Sequence, residues 1–552
     1  MTSMDDLQVP VRGHAALWLA AVVLALALAH ALAWVPSEPF FNNDETRHVM
    51  TGVFFRDFLL DLPLDRLRAY TVDYYLQYPA LGLMVWPPLF HGIQGVAMLV
   101  FGTSFLVAKA LVGIFAAIAC AYLFLLVRRT HGARAAAAAA LLFGLSPLVF
   151  QLTRYVMLEI PALAFVLASI YHFVLYLDRS RRRDIFLAAG AAAAFALTRY
   201  DAVVLLLFFA LSLAALRRWD LFRRREVWLA ALMAIAIVVP LYIPMLAEFG
   251  RAYLQLNVQT GPTTEGRGLL DTLTYYPRSL PRQIGVFTLV AGLCGLLSTL
   301  RPERRQACWP YLALAAATWL TFTPLAGLEA RHSIYWIPAF ALFAVEGMGW
   351  MASRLRFPQA RAVLAVLVLG GTLWAALKSP VRYVRGYEEA ARYVVENTRA
   401  SRFAFMDGYL NGDFIYQVRR HDPERRLWIL RGDKLLYGVL MDPRRGYQEH
   451  ANNKEEVLQA LFHYDPELIV VEEPQVDFET PAATRLRETL ATHPELFELV
   501  REFPIESNVA MYEGVRLNVY RSRLRNPVPA RRVSFAMMGL GGRSLETEVP
   551  RR

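Results

Sequence analysis

Apolar residues dominate the first two thirds of the chain and then give way. Predominantly apolar stretches cover residues 15 to 35, 105 to 127, 134 to 150, 156 to 177, 185 to 198, 202 to 216, 227 to 247, 283 to 300, 308 to 325, 332 to 352 and 360 to 378. Most are long enough for a helix across a bilayer core, which takes about 20 residues. The pattern predicts eleven membrane helices, the first retained because residues 15 to 35 exceed a signal-peptide core and lack a persuasive cleavage site. A twelfth apolar stretch, 80 to 101, is interrupted by Trp86, Pro87, Pro88, His91 and Gln94 and makes a poor lipid-facing span. From about residue 380 the pattern changes to short apolar runs at 402 to 406, 427 to 430 and 468 to 471, read as strands. Helical periodicity at 386 to 397, 453 to 463 and 482 to 500 alternates with them. That alternation predicts a small α/β domain over 380–524, followed by a loose, Arg-, Pro- and Gly-rich tail over 525–552.

Charge orients these elements. The chain carries a net charge of +11 with 56% hydrophobic and 19% charged residues. Its arginines fall in clusters between apolar runs, at 128–134, 179–183, 217–225, 301–305 and 354–361, in every second loop. Membrane orientation explains such clusters without invoking nucleic acid. All can be cytoplasmic only if 80 to 101 does not cross, so it is placed as a re-entrant or juxtamembrane element within an external loop, 36–104. The expectation is an α-helical polytopic membrane protein with a transmembrane domain over 1–379 and an extracytoplasmic C-terminal domain. Cys120, Cys294 and Cys308 lie in or beside apolar runs, and the last 173 or so residues contain no cysteine, which excludes a disulfide framework.

The polar residues left on the external side carry the chemistry. Asn42 or Asn43 can cap a helix whose first turn holds Asp44 and Glu45, and Asp44, Arg47 and His48 then share a face at i, i+3 and i+4. In the competing reading the two acids only cap the helix. Arg154 and Glu159 flank the start of one span, Glu159 inside it, where a charge is costly and points to a site. Arg199, Tyr200 and Asp201 interrupt another apolar run, and Arg331 and His332 open a third. The competing reading for each is an interfacial anchor, with Glu159 paired to Arg154. Carboxylates can deprotonate a nucleophile, and guanidinium groups bind phosphate in bidentate fashion. Neither a GxGxxG nor a GxxxxGK[ST] loop is present, so a phosphate would arrive on a lipid, and no His/Cys/Glu spacing suits zinc.

On these residues the chain resembles the membrane-embedded C-type glycosyltransferases (GT-C), in particular the protein O-mannosyltransferase and lipid A aminoarabinose transferase superfamily. Asn43-Asp44-Glu45-Thr46-Arg47 is similar to that superfamily's Asp-Glu motif. Tyr78-Pro79 with Trp86-Pro87-Pro88-Leu89 is similar to its double-proline motif, and Arg154 to Pro161 and Arg331 to Pro338 to its later loops. The resemblance implies inverting transfer of a sugar from a polyprenyl-phosphate donor to an acceptor hydroxyl at the outer face of a bacterial inner membrane. It implies Asp44 as base and Glu45 as its partner, both catalytic, with Arg47, His48, Tyr78, Pro87, Pro88, Arg154, Glu159, Arg199, Asp201, Arg331 and His332 around the substrates. The partners are then the lipid-linked donor, a hydroxyl acceptor and membrane lipid, with no nucleic acid, and a divalent metal is left open. Two departures stand out: Glu159 occupies a position usually held by Asp, and the lysine that often precedes the double proline is replaced by Val85-Trp86. The alternative function, a transporter or flippase of a lipid-linked or anionic substrate, predicts repeated halves and charges at midplane, and neither is visible.

Overall fold

The computed structural model describes residues 12–33, 40–83, 85–254, 268–325, 328–355, 357–399, 402–439, 446–477, 479–528, 530–537 and 543–549. The chain separates into two compact units, one of residues 1–35, 109–243 and 257–381, the other of 36–108, 244–256 and 382–552.

The first unit is helical, and each apolar stretch assigned to it lies on a helix. Arg12–Leu32, Glu159–Arg179, Arg182–Ala196, Val203–Leu216, Val286–Ser298, Pro302–Phe322, Ile337–Ala352 and Ala360–Lys378 follow the stretches within a few residues. The stretches at 105 and 134 form two helices within Phe105–Leu145, joined across a kink at Gly132, where φ of 80° is positive and glycine carries it without strain. Among the described residues, six helices are long and apolar enough to cross a membrane. Arg225–Ala247 buries only 6% of its apolar window within the protein, leaving its Leu, Ile and Val side chains for lipid. The protein is an integral membrane protein.

Helix contacts in this unit rely on small residues. A Cβ on Gly295 would lie 1.8 Å from the Phe343 carbonyl oxygen, and one on Gly347 would lie 1.9 Å from that of Ala291. Val286–Ser298 and Ile337–Ala352 therefore meet backbone to backbone, the close approach that lipid-embedded helices use in place of a hydrophobic drive. Residues 248 to 282, between two of the apolar stretches, are helical over much of what is described: one helix runs on to Leu254 and another covers Leu269–Ile284, burying Thr272, Tyr276, Leu280 and Ile284 at intervals of four.

The second unit joins the external loop to the C-terminal domain. A five-stranded sheet runs in the order Trp428–Arg431, Phe403–Asp407, Leu468–Glu473, Arg516–Ser522, Phe497–Pro504. Its first three strands are parallel and buried on both faces, as their continuous apolar runs require, and the last two are antiparallel. Phe497–Pro504 falls where the sequence suggested the end of a helix: Pro481–Thr492 stops early, and FELVREFP alternates as an edge strand does.

The external loop forms three helices, Asn43–Asp61, Leu67–Gln77 and Leu89–Phe101. The last, at 13 residues, is about 20 Å long and too short to cross a bilayer core of about 30 Å. It packs along Asn43–Asp61, where Gly52 leaves room for Gln94, and Gly95 for Phe55. Leu76 joins the apolar core of the α/β domain, and the Gln77 amide donates to the carbonyls of Arg425 and Leu427 at 2.7 and 3.1 Å. The loop assigned from sequence to the transmembrane domain thus belongs, by its packing, with the C-terminal domain.

The stretch read as a flexible tail is a correction. Arg532–Met537 and Arg543–Glu548 form an antiparallel ribbon, and Val533 and Phe535 are buried in the domain core. Arginines on its outer positions gave this stretch a disordered composition, while the inward positions are apolar.

Candidate functional site

The candidate residues fall into two clusters, one in each unit. In the second unit, the Asn42 side chain accepts the Asp44 backbone N–H at 2.7 Å, and helix Asn43–Asp61 starts there. Glu45, fully buried, turns back to accept the Phe41 backbone N–H at 3.3 Å. Asn42 and Glu45 together resemble a capping box. The capping reading therefore holds for Glu45, while the partly exposed Asp44 carboxylate sits on the same turn near Arg47.

His48 and His91 are joined through Nδ1 and Nε2 at 3.0 Å, and Trp86 packs edge-on against His48 with ring centres 4.4 Å apart. Pro87 and Pro88 act by delivering this contact: Pro88 precedes helix Leu89–Phe101 and places His91 two residues into it. Tyr78 lies elsewhere, buried against Tyr74 in an ionic network. There, fully buried Asp57 accepts from the Tyr74 hydroxyl at 2.6 Å and from Arg419 Nε and Nη2 at 3.0 and 2.7 Å, while Asp61 accepts from the Tyr70 hydroxyl at 2.7 Å and pairs with Arg425. Burial raises the Tyr78 phenol, so it remains a neutral hydroxyl.

The helix Asn411–His421 brings the C-terminal domain onto the first turn. Asn43 donates to the Tyr409 carbonyl at 2.6 Å, and Gly412 is pressed so close to Thr46 that a Cβ there would lie 2.1 Å from the Thr46 hydroxyl. Next to it Asp413 is buried, held by the Gln417 amide at 3.1 Å; burial, with Glu388, Glu45 and Glu389 adding negative charge, pushes its carboxyl up to about 8. At neutral pH Asp413 is thus largely protonated beside buried Glu45.

The other cluster is in the first unit. Arg199 donates to Glu159 at 2.7 Å and to Asp201 at 2.6 Å, and the Tyr335 hydroxyl donates to Asp201 at 2.9 Å. Arg331 lies 3.7 Å from Glu159 and 2.6 Å from Glu329. Residues 159, 199, 201 and 331, scattered over 173 positions, thus share one ionic network. His332, beside them in sequence, stacks on Phe322 at 5.9 Å. Glu159 Oε2 and His332 Nδ1 are buried without a hydrogen-bond partner among the described residues. Arg154 is a correction. It donates to the Ala33 carbonyl and lies over the Phe150 ring at 5.4 Å, so the partner of Glu159 is Arg199 and not Arg154.

Among the described residues no three His, Cys, Asp or Glu side chains converge as a metal-binding set.

A family model described as dolichyl-phosphate-mannose-protein mannosyltransferase matches residues 85–243. The structure of ArnT from Cupriavidus metallidurans bound to undecaprenyl phosphate superposes with a TM-score of 0.62 at 14% identity, covering 94% of this chain and 100% of that one. The fold is GT-C. An Archaeoglobus fulgidus oligosaccharyltransferase in complex with Zn and sulfate gives a TM-score of 0.53 at 14% identity, with 82% of this chain and 68% of that chain covered. The mycobacterial arabinofuranosyltransferase AftD gives 0.55 at 14% identity, with 93% and 40% covered. No curated protein matches the sequence.

The GT-C geometry also shows residues that sequence reasoning missed. Tyr335 follows Arg331 by four residues, one helical turn, and that spacing could have flagged it. Asp57, Arg419 and Asp413 look like solvent-facing charges on amphipathic helices, and only the tertiary pairing reveals them.

Proposed function

We propose that this protein is a glycosyltransferase that moves a sugar from a polyprenyl-phosphate donor to an acceptor hydroxyl, with inversion, at the outer face of a bacterial inner membrane. The observation that carries the reading is Asp44: a partly exposed carboxylate on a first turn whose capping is supplied by Asn42 and Glu45, within a fold shared along 94% of the chain with a protein bound to undecaprenyl phosphate.

In this reading Asp44 takes the proton of the acceptor hydroxyl as its oxygen attacks the anomeric carbon from the side opposite the phosphate. The bond from sugar to phosphate breaks as the new one forms, and single displacement inverts the centre. Glu45 holds the turn in place. Arg331 is the stronger candidate for the departing phosphate, because Glu329 is half exposed and an exposed pair is worth only about 0–1 kcal/mol, so a phosphate can displace it. Arg199, clamped by both Glu159 and Asp201, orients Glu159.

The test is product formation. Purified protein in lipid is given undecaprenyl-phosphate sugars with lipid, glycan and protein acceptors, and the anomeric configuration of any product is read by NMR. Inverted product with wild type and none with Asp44→Asn supports the reading; retention of configuration, or equal turnover by the variant, refutes it.

A further inference from the structure

In the first unit, the segment from Arg217 to Trp228 follows the apolar helix Val203–Leu216 and opens the helix Arg225–Ala247, and it leaves both charge and aromatic surface uncovered. Arg217, Arg218, Arg223, Arg224 and Arg225 stand against Asp220 and Glu226, a surplus of three positive charges. Asp220 is fully used inside the segment: Arg218 Nε donates to its Oδ1 at 2.9 Å and Arg224 Nη2 to its Oδ2 at 3.0 Å. Arg224 Nη1 also donates to the Ser180 hydroxyl at 2.9 Å, and Glu226 accepts from the Tyr176 hydroxyl at 3.1 Å, so these groups tie the segment to the end of helix Glu159–Arg179. Arg217, Arg223 and Arg225 are exposed and, among the described residues, make no ion pair or side-chain hydrogen bond.

Aromatic rings lie alongside these cations. The short turn Trp219–Arg223 buries only Leu221 and directs Trp219 and Phe222 outward, 56% and 49% exposed, with their rings stacked at 6.2 Å and 12°. Trp228, 58% exposed, continues the row 6.3 Å from Phe222, and its indole N–H donates to the Phe222 carbonyl at 2.8 Å. Water disfavours three uncovered rings in a row, and the apolar side chains of Arg225–Ala247 that follow them face lipid. The row therefore stands at a membrane boundary, where indoles settle at the level of the headgroups. Arg225 and Trp228, three positions apart on the helix, are surface neighbours, and Arg223 directly follows Phe222.

We propose that this face is a binding site for an anionic phospholipid, with Arg223 and Arg225 on its phosphate and the Trp219, Phe222 and Trp228 rings against its glycerol and first acyl carbons. A guanidinium fork matches two phosphate oxygens, and the rings offer a flat apolar floor beside it. A zwitterionic headgroup brings its own cation towards three unpaired arginines, so the site selects headgroups of net negative charge. Asp220 acts from behind: by engaging Arg218 and Arg224 it pins the turn that carries Phe222 and Arg223. The site stands apart from the transfer reading, since it needs a bilayer but neither a sugar donor nor Asp44, and it is the same in whichever leaflet the segment lies.

Full-length protein in a neutral detergent is titrated with phosphatidylglycerol or phosphatidylcholine, and the lipid retained is counted by native mass spectrometry. Wild type should retain phosphatidylglycerol in preference to phosphatidylcholine. The double variant Arg223→Gln with Arg225→Gln should bind phosphatidylglycerol about 25-fold more weakly, about fivefold for each arginine near an anionic headgroup, with phosphatidylcholine unchanged. Should the double variant not fold, the two single variants, each about fivefold weaker, carry the same comparison. Arg301→Gln with Arg305→Gln, an equal loss of charge at another exposed pair, should keep the wild-type preference. Equal retention of the two lipids by wild type, or a wild-type preference in the variants at 223 and 225, overturns the site. An equal loss in the variant at 301 and 305 overturns it too, because net charge alone then attracts the lipid.

Discussion

Asp44 and Glu45 are adjacent and chemically alike, yet their geometry separates them. Asp44→Asn preserves size and helix compatibility, so the fold should survive while turnover falls by about 10² to 10⁴, the usual worth of a general base. Glu45→Gln should leave turnover within a few fold and lower the melting midpoint, because it weakens the accepted N–H of Phe41. Steady-state rates and thermal melts on both variants decide the assignment. Arg331→Lys keeps charge but not fork geometry, and should weaken donor binding by roughly 1 to 3 kcal/mol and reduce turnover as well. Unchanged values would make Arg331 a membrane anchor. Sequence made Asp44 visible through its cap and its neighbours, because those contacts are local. Glu159 and Arg199 were visible only as separate oddities, since 40 residues separate two groups that meet at 2.7 Å.

A different residue sets the pH response. Asp413 has an ordinary value of 3.8 and is raised to about 8 in the folded protein, so between these limits the folded state holds a proton that the unfolded state has released. Stability from this group therefore declines as pH rises through that window and levels off above it. Asp413→Asn should flatten the decline. Melting midpoints from pH 5 to 6.5 test this below the range where Lys434 titrates; parallel slopes for variant and wild type would contradict it.

Among the elements, the contact between Asn43–Asp61 and Asn411–His421 is the most exposed to a single change. Replacing Asp57 by Asn leaves Arg419 buried without its counter-charge, which costs about 3 to 5 kcal/mol in comparable buried pairs. The variant should melt lower and its C-terminal domain should become sensitive to limited proteolysis, with the membrane helices still protected; intact domain resistance would show that apolar packing alone holds the contact. Elements were legible where periodicity was strong. The apolar helices and three parallel strands announce themselves by composition, whereas Asn411–His421 was not recognised at all and strand Phe497–Pro504 was hidden in a run read as helix. Arg532–Met537 escaped for another reason: a two-stranded ribbon buries alternate residues only, and its arginines outweigh them in any average.

For the molecule as a whole, the arginine clusters give an orientation that can be measured. Single cysteines at 131 and 223 in a background lacking Cys120, Cys294 and Cys308 should resist an impermeant thiol reagent applied to intact cells, and those at 44 and 424, both away from the buried core, should react. The same proposal covers position 262, which lies outside the described residues. External labelling at 131 would reverse the orientation and place the Asp44 turn on the cytoplasmic side.

The pairing of Asp57 with Arg419 also has a consequence for synthesis. The two residues are 362 positions apart, so at about 5 to 20 residues per second the ribosome reaches Arg419 roughly 20 to 70 s after Asp57. Throughout that interval helix Asn43–Asp61 is already made, with the ionic partner of its Asp57 still untranslated. The nascent chain must wait in a half-formed state, and the helix that starts at the Asp44 turn gains its counter-charge only from a segment translated much later.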